Sequence, residues 1–337
     1  MRARIVYAVL AGLLIGLPAF SQYQLNGFLS ARYENGKAQA DYPEGTFGWV
    51  KAGLLFTGRV ENIFNYGFEI QLKSENRAEV EEAWVGVNPA ETFQMKLGCY
   101  LVPFGKYNAA NRPYQNPFIQ APLPQADLYP DSWRDIGVLT EGRWSSFGYS
   151  VYLGNGLREG RDLRDGQQFK DNNGNKSAGG RISLKLGEGF EVAGSYYRGT
   201  YDDASERNLR LYGADASWSS QDFMLLYEYG KADLENPTGY ARGTSEGHFA
   251  LASLNISGFM VVASYQTLEY NDPYHGWDPL DPLLIPVGIA KDRRRWAVGL
   301  VYSPAPNFML KVEYDFNREK PDELDDDVLL AQVSFLF

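Results

Sequence analysis

Residues 66–73 read YGFEIQLK, a stretch in which apolar side chains occupy every second position. Residues 308–317 (FMLKVEYDFN) repeat this alternation. Successive side chains of a β-strand point to opposite faces, so each stretch predicts a strand with one apolar and one polar face. Strands that meet lipid on one side and water on the other are typical of transmembrane β-barrels.

Short and long connections alternate along the rest of the chain. Seven tight breaks join alternating runs: Glu61–Asn65, Asn88–Glu91, Ser145–Ser146, Gly187–Gly189, Ser219–Asp222, Ser257–Gly258 and Pro304–Asn307. Longer, polar connections lie between them. Barrels of the outer membrane have short periplasmic turns and long outer loops. The spacing therefore predicts an all-β, antiparallel, up-and-down transmembrane barrel.

The predicted barrel has sixteen strands, with 14–18 compatible with the weaker runs. The predicted strands are residues 24–34, 47–60, 66–74, 79–88, 93–102, 135–144, 147–155, 177–186, 190–200, 209–218, 223–231, 246–256, 259–270, 293–303, 308–317 and 328–337. The run 246–256 alternates poorly, and Arg294 sits awkwardly near the start of its strand. A soluble β-sandwich or propeller is the alternative, but it does not explain the two classes of connection.

The two ends of the chain indicate export to the outer membrane. Residues 1–21 combine Arg2 and Arg4 with a short apolar run and small residues, as a secretory signal peptide does. Residues 22–337 then form the barrel domain. Its last strand ends in Phe337 and resembles the assembly signal of outer-membrane barrels. We therefore expect localisation in the outer membrane of a Gram-negative-type bacterium and recognition by the barrel assembly machinery.

Composition excludes several classes of protein. No apolar run after the signal approaches the length of a membrane helix. The formal net charge of −10 argues against a nucleic-acid partner. Catalytic and metal-binding motifs are absent from the sequence, which has two histidines, His248 and His275, and one cysteine, Cys99. We expect no enzyme, cofactor or metal; a membrane hydrolase built from distant strands is the alternative.

The connection between the fifth and sixth predicted strands, residues 102–134, is the longest in this reading. Loops of this length in a compact fold are usually functional or disordered. This one contains six prolines and six aromatic residues, which favour a fixed conformation packed against a surface. We expect it to fold into the lumen and to form a constriction lined by Lys106, Arg112, Asp127, Asp131, Arg134 and Asp135.

The polar faces of the predicted strands supply candidates for the pore lining. These are Arg32, Lys51, Arg59, Glu69, Lys73, Lys96, Tyr100, Arg143, Arg181 and Lys185. Further acids on the same faces are Glu34, Glu82, Glu141, Glu191, Asp215, Glu228, Glu313 and Asp315. Acidic and basic side chains nearly balance in number. This balance leaves cation or anion selectivity open. The cations cluster in the first eight strands, which keeps anion preference as an alternative.

Three segments resemble the phosphate-selective porin O/P family. They are residues 95–105 (MKLGCYLVPFG), 131–138 (DSWRDIGV) and 147–156 (FGYSVYLGNG). The resemblance implies a homotrimer of 16-stranded channels, each with an inward third loop. It does not carry over phosphate selectivity, because the family's arginine ladder and lysine-rich entrance have no clear counterpart here.

The sequence thus predicts a porin that gives small hydrophilic solutes or ions passive diffusion through a water-filled barrel. A channel selective for phosphate, other anions or sugars is the first alternative. In it, Tyr100, Tyr107, Tyr114, Phe118, Tyr129 and Trp133 form a stacking track. A plugged or adhesive barrel is the second alternative. We also expect contact with outer-membrane lipid and lipopolysaccharide. Five acids of the last loop, Asp322, Glu323, Asp325, Asp326 and Asp327, are candidates for binding cations that bridge lipopolysaccharide, and a solvated acidic loop is the favoured alternative.

Overall fold

The structure is a computed structural model that describes residues 21–74, 77–110, 112–160, 163–271, 292–320 and 323–337. The predicted signal peptide lies outside these residues except for Ser21, and His275 also lies outside them. No helix within the described ranges is long and apolar enough to cross a membrane.

The described residues form sixteen β-strands. These are β1 (Ser21–Gly36), β2 (Thr46–Val60), β3 (Phe64–Lys73), β4 (Arg77–Ala90), β5 (Phe93–Leu101), β6 (Arg134–Trp144), β7 (Phe147–Gly154), β8 (Ser177–Lys185), β9 (Phe190–Thr200), β10 (Asn208–Ser219), β11 (Phe223–Leu234), β12 (Gly243–Ile256), β13 (Phe259–Asn271), β14 (Asp292–Ala305), β15 (Phe308–Lys320) and β16 (Val328–Leu336). Each strand pairs antiparallel with its neighbours in the chain. The predicted strand number and order are confirmed.

The first and last strands close the sheet into a barrel. β1 pairs with β16 from Phe28 opposite Leu336 to Gly36 opposite Val328. Beyond the last strand, the Phe337 amide donates to the Gly27 carbonyl (2.8 Å), and the Gly27 amide donates to the Phe337 carbonyl (2.7 Å). Closure leaves no strand edge with unpaired backbone groups, which a membrane cannot satisfy.

The strands have the two faces that their alternation predicts. On β3, Glu69 and Gln71 are buried, whereas Leu72 is 56% exposed on the other face. On β15, Lys311 and Glu313 are buried, and Leu310 and Val312 between and beside them are exposed. The apolar face is therefore the outer face of the closed sheet, where it meets lipid.

Strand β12 departs from this rule and explains its weak alternation in the sequence. Phe249 and Leu251 are buried, while Ala250 on the opposite face is exposed. The ring of Phe249 packs edge-on against Tyr107, with centroids 5.8 Å apart. The inner face of β12 is apolar because a loop side chain from elsewhere in the chain covers it.

Residues 102–133 connect β5 to β6 and are called the third loop below. The loop contains a 3₁₀ turn (Tyr107–Ala110) and one short helix, α1 (Leu123–Asp127). Pro124 lies in the first turn of α1, where proline removes no helical hydrogen bond. A second 3₁₀ turn, Leu163–Gly166, lies in the fourth loop, between β7 and β8.

Candidate functional site

Strand β11 holds the beginning of the third loop through one buried carboxylate. Glu228 accepts hydrogen bonds from the backbone amides of Lys106 (2.8 Å) and Tyr107 (2.5 Å). Its other oxygen accepts from Nε2 of Gln125 in α1 (2.8 Å). The glutamate thus joins two separate parts of the loop to a strand far along the barrel from β5 and β6.

Strand β15 holds the middle of the loop through a buried lysine. Nζ of Lys311 donates to the carbonyl oxygens of Pro113 and Asn116, both at 2.6 Å. Two residues further along β15, Glu313 accepts a hydrogen bond from the Ile119 amide. Buried polar groups are costly unless they are paired, so these contacts define where the loop lies.

Strands β13 and β14 hold the region of α1. The Leu123 amide donates to Oε1 of Gln266 on β13 (3.0 Å). Arg293 of β14 forms an ion pair with Asp127 at the end of α1, and Arg164 of the fourth loop approaches the same carboxylate at 3.5 Å. Asp127 was predicted to face the pore, but its carboxylate is largely buried between these two arginines.

Strands β3 and β4 also bind the loop, through its residue Arg112. Nε of Arg112 lies 2.8 Å from Oε2 of Glu69, and Nη2 lies 3.2 Å from Oε1 of Glu82. Burial alone lowers the pKa of Arg112, but these two carboxylates outweigh burial and raise it above its ordinary value. The prediction that Arg112 and Glu69 both belong to the site is consistent with their direct pairing, although Glu69 itself is buried.

An aromatic cluster packs the ends of the loop against β9. The Trp133 ring is fully buried and lies edge-on to Tyr197, with centroids 5.1 Å apart. Phe104 and Tyr129 pack against each other with centroids at the same separation, 5.1 Å. Burial raises the pKa of the Tyr129 phenol well above its ordinary value. This cluster fixes the loop at both of its ends.

The burial of these rings argues against a stacking track for sugars. Five of the six predicted aromatic residues are at most 5% exposed: Tyr100, Tyr107, Phe118, Tyr129 and Trp133. Tyr100, also predicted to line the pore, donates instead to the Leu153 carbonyl (3.3 Å). Aromatic residues in this loop contribute packing because its interior is a core of its own.

Lys106 and Asp131 are the predicted constriction residues that present a charge to solvent. The Lys106 side chain is 44% exposed, with Nζ 2.6 Å from Oγ of Ser217 and 3.8 Å from Oε1 of Glu191. Asp131 is exposed and forms no ion pair with any residue that the structure describes. These two side chains carry opposite charges on one loop.

Arg134 and Asp135 occupy buried, structural positions instead. Asp135 is 1% exposed and accepts hydrogen bonds from the amides of Ile136 (2.7 Å), Asn155 (3.0 Å) and Gly156 (3.0 Å). Arg134 is 5% exposed and donates to the Val80 carbonyl (2.8 Å). Both side chains are buried and hydrogen-bonded where the loop joins the barrel wall. We therefore correct the prediction that they border the pore.

Most predicted lining cations are paired with an acid on a neighbouring position. The pairs are Arg32–Glu34 (2.7 Å), Lys73–Glu79 (2.6 Å), Lys96–Glu141 (2.6 Å), Arg181–Asp215 (2.6 Å) and Arg143–Glu191 (3.2 Å). Arg59 and Lys185 are exposed near the short turns, and Lys51 is partly exposed. The near balance of charge seen in the sequence is thus realised as local ion pairs.

Several residues that hold the loop were absent from the predicted site, among them Lys311, Arg293, Arg295 and Gln266. Lys311 lies on the polar face that alternation identifies, so its orientation was accessible from the sequence. Its partners lie almost 200 positions away in the chain, and no local pattern indicates them. Arg295 similarly reaches the Ala121 carbonyl (3.4 Å) from a strand whose start alternates poorly.

Comparison with known proteins identifies the family. The sequence model of the Gram-negative porins matches residues 8–328, which is nearly the whole chain. The chain belongs to the Gram-negative porin family. It is thus an outer-membrane channel for passive diffusion, as the sequence predicted. The narrower resemblance to phosphate-selective porins stays a prediction.

Individual relatives are distant in sequence but similar in fold. An uncharacterized protein of Aquifex aeolicus is 21% identical over 320 residues, covering 81% of the porin and 73% of the relative. Salmonella typhi OmpF in complex with daunomycin superposes with a TM-score of 0.67 at 14% identity, covering 94% of the porin and 98% of OmpF. An anion-selective porin from Comamonas acidovorans gives 0.67 at 13% identity, with 94% and 100% coverage. These structures show the same fold.

Proposed function

We propose that the third loop lies inside the barrel and narrows a water-filled path for small hydrophilic solutes. The observation that carries this proposal is the set of hydrogen bonds from Lys311 to Pro113 and Asn116. The loop leaves the sheet after β5 and re-enters it at β6, whereas Lys311 is on β15. A loop that bonds to the polar inner faces of β3 and β15 has to cross the interior of the closed sheet.

We propose that Lys106, Asp131 and Arg112 set the electrostatics of the constriction. Lys106 and Asp131 are exposed, and the charge of Arg112 is shared between Glu69 and Glu82. On the wall beside Lys106, Glu191 also lies near Arg143 (3.2 Å) and Arg181 (3.4 Å). With most cations paired, discrimination by size dominates and charge selectivity is weak.

A phosphate-specific or sugar-specific channel has less support. Phosphate binding needs several unpaired cations that converge, but most of the predicted lining cations are already bound to carboxylates. Sugar stacking needs exposed rings, and the loop rings are buried. The anion-selective porin from Comamonas acidovorans is too distant in sequence, at 13% identity, to transfer its selectivity.

We also propose that this porin acts as a homotrimer in contact with lipopolysaccharide, after removal of residues 1–21 and assembly through Phe337. A trimer form of the Vibrio cholerae outer membrane protein OmpT has the same fold, with a TM-score of 0.66 at 12% identity. The exposed apolar outer face supports lipid contact. Chemical cross-linking in detergent, followed by mass measurement, tests the trimer.

We propose no catalytic role for the barrel. His248 stands on the outer face of β12 between the rings of Tyr227 and Tyr265, with Nδ1 3.3 Å from Oγ1 of Thr267. This is a lipid-facing, aromatic setting, not a water-accessible site with an acid and a nucleophile. His275 lies outside the described residues.

Liposome swelling tests the proposed mechanism. Proteoliposomes that contain the porin are diluted into isotonic sugars and amino acids of increasing size, neutral and charged. We expect the swelling rate to fall steeply with solute size and to differ little between solutes of equal size and opposite charge. Rapid entry of one solute class independent of its size would contradict a general diffusion channel.

A further inference from the structure

Two arginines stand side by side on the outer face of β9 and β10. Arg198 and Arg210 are register partners on these antiparallel strands, near the loop-bearing end of the barrel. They share their face with Tyr196 and Tyr212, two positions nearer the membrane centre, which are 42% and 39% exposed. Like charges at directly opposed positions destabilise a strand pair. The pair therefore calls for a counter-charge.

The neighbouring carboxylates of the protein bond mainly to other groups. Neither arginine forms an ion pair with a residue in the part of the chain that the structure describes. Asp233, the register partner of Arg210 on β11, is held by Nε of Arg242 at 2.6 Å. The pKa of Glu235 is lowered mainly by Asn208, which donates two hydrogen bonds to Oε2 at 2.9 and 2.8 Å, and least by the charge of Arg210.

Burial makes the missing partner more costly for Arg210. Its Nε atom is buried and has no hydrogen-bond partner among the described residues. An unpaired buried donor adds to the cost of the unbalanced charge, and an acceptor outside the barrel has to bind the terminal nitrogens of the guanidinium group.

A second arginine pair on the same outer face shows how the protein balances such charge elsewhere. Arg294 on β14 and Arg318 on β15 are also register partners. Arg294 lies 3.9 Å from Glu269, and Arg318 lies 3.2 Å from Glu323 and 3.0 Å from Asp327. Carboxylates of the protein therefore neutralise Arg294 and Arg318, whereas Arg198 and Arg210 form no ion pair with any described residue.

We propose that Arg198 and Arg210 bind the phosphate group of a phosphorylated lipid in the outer leaflet. Tyrosines on the lipid-facing surface lie at the level of the membrane interface, which puts the two arginines at the level of lipid headgroups. Guanidinium groups match phosphate oxygens in geometry and charge. An anion between the arginines removes their repulsion. The proposal depends on the barrel standing in a membrane and not on the position of the third loop.

Native mass spectrometry of the detergent-solubilised full chain tests this site. The probes are a diphosphorylated acylated glycolipid, its dephosphorylated counterpart and inorganic phosphate. R198Q/R210Q removes both charges, R198K/R210K keeps them, and R294Q/R318Q is the control with the same change in net charge. Thermal unfolding of each protein, with and without each probe, provides the second readout.

We expect R198Q/R210Q to bind the phosphorylated glycolipid about tenfold more weakly than the parent protein, with R198K/R210K between them. Binding of the dephosphorylated lipid stays unchanged, and R294Q/R318Q keeps its affinity for the phosphorylated form. Without lipid, R198Q/R210Q unfolds at the same temperature as the parent or at a higher one. With phosphorylated lipid, only the parent and control gain stability.

Three results would overturn the proposal. The first is equal affinity of R198Q/R210Q and the parent for the phosphorylated lipid. The second is an equal loss of affinity in R294Q/R318Q, which would indicate net charge instead of a site. The third is full stabilisation by inorganic phosphate at the lipid's concentration, which would assign the arginines to a soluble anion. Channel conductance is unaffected in each case, so the outcome is separate from that of the proposed constriction.

Discussion

The ammonium nitrogen of Lys311 on β15 lies 2.6 Å from the carbonyl oxygen of Pro113 in the third loop. The two residues are separated by more than half of the chain. In the closed barrel, β15 lies several strands from β5 and β6, which carry the loop. Lys311 is 2% exposed, so its donors have no access to bulk water. The contact fixes the middle of the loop to the wall and would make the proposed constriction rigid.

Lys311→Met is predicted to loosen the loop. The substitution keeps the apolar stem but removes the short hydrogen bonds to the carbonyl groups of Pro113 and Asn116. Pro113 retains a long contact with Oγ of Ser334 (3.4 Å), whereas Asn116 loses its donor, at a cost of about 1–3 kcal/mol. We expect a lower unfolding temperature and larger fluctuations of the open-channel current. Lys185→Met is the control, since Lys185 is exposed near a short turn. Identical current noise in the parent and Lys311→Met would show that Lys311 does not hold the loop in place.

The two exposed charges of the loop are predicted to shift ion selectivity in opposite directions. Asp131→Asn raises the anion-to-cation permeability ratio and Lys106→Gln lowers it, each by about twofold. A unit charge roughly 8 Å from a passing ion contributes about 0.5 kcal/mol in water. Reversal potentials in a salt gradient measure the ratio. The shifts shrink at high salt, because exposed charges are screened.

Lys170→Gln is the control for this pair, because Lys170 is an exposed lysine of the fourth loop. Its reversal potential is expected to match that of the parent. Shifts of the same sign in Asp131→Asn and Lys106→Gln would show that these side chains do not border the ion path.

Features that depend on the local sequence were predictable, whereas features that depend on contacts between distant residues were not. Alternation in residues 66–73 is a local property, and it predicted the faces of β3 correctly. The inward Phe249 and the buried Asp135 depend on partners far away in the chain, Tyr107 and Gly156. Residue type and the alternation along a strand predict which face of the sheet a side chain occupies. Neither indicates which polar side chains the loop covers. The strand order was therefore predictable, and the contacts between the loop and the barrel wall were predictable only in part.

Acid is predicted to weaken a contact between the last outer loop and the first. Asp327 accepts from Nζ of Lys37 (3.0 Å) and Nη1 of Arg318 (3.0 Å). Burial raises the pKa of Asp327, but hydrogen bonds from these cations outweigh burial and lower the pKa below its ordinary value. The carboxylate therefore stabilises the fold above its unfolded-state pKa, near 3.9, and this contribution is lost as pH falls through the lowered folded-state pKa.

Asp327→Asn tests this contribution. We expect a lower unfolding temperature than the parent at pH 7 and convergence of the two proteins as pH falls below about 4. Asp325→Asn is the matched control, because the Asp325 carboxylate forms an exposed ion pair with Lys37 (3.2 Å), and such pairs contribute little. A difference between Asp327→Asn and the parent that is constant over this pH range would contradict the assignment.

Removal of Phe337 is predicted to impair closure of the barrel. Its backbone exchanges two hydrogen bonds with Gly27 on β1, and these groups have no water to replace them within a membrane. We expect a several-fold lower folded yield, measured by the heat-dependent shift in electrophoretic mobility. Phe337→Leu keeps both backbone bonds and an apolar side chain, so its yield stays near that of the parent. Equal yields of the deletion and the parent would show that the pairing of β1 with β16 does not need this residue.

Single-channel conductance of a loop deletion shows whether the third loop narrows the lumen. Deleting residues 113–124 removes the segment that Lys311 and Glu313 hold, while keeping the aromatic cluster around Trp133. Purified parent and deletion proteins are compared in planar bilayers at the same salt concentration. We predict a clear rise in conductance and a larger size limit for neutral solutes. Unchanged conductance in a folded deletion protein would place the loop outside the path of the ions and contradict the account.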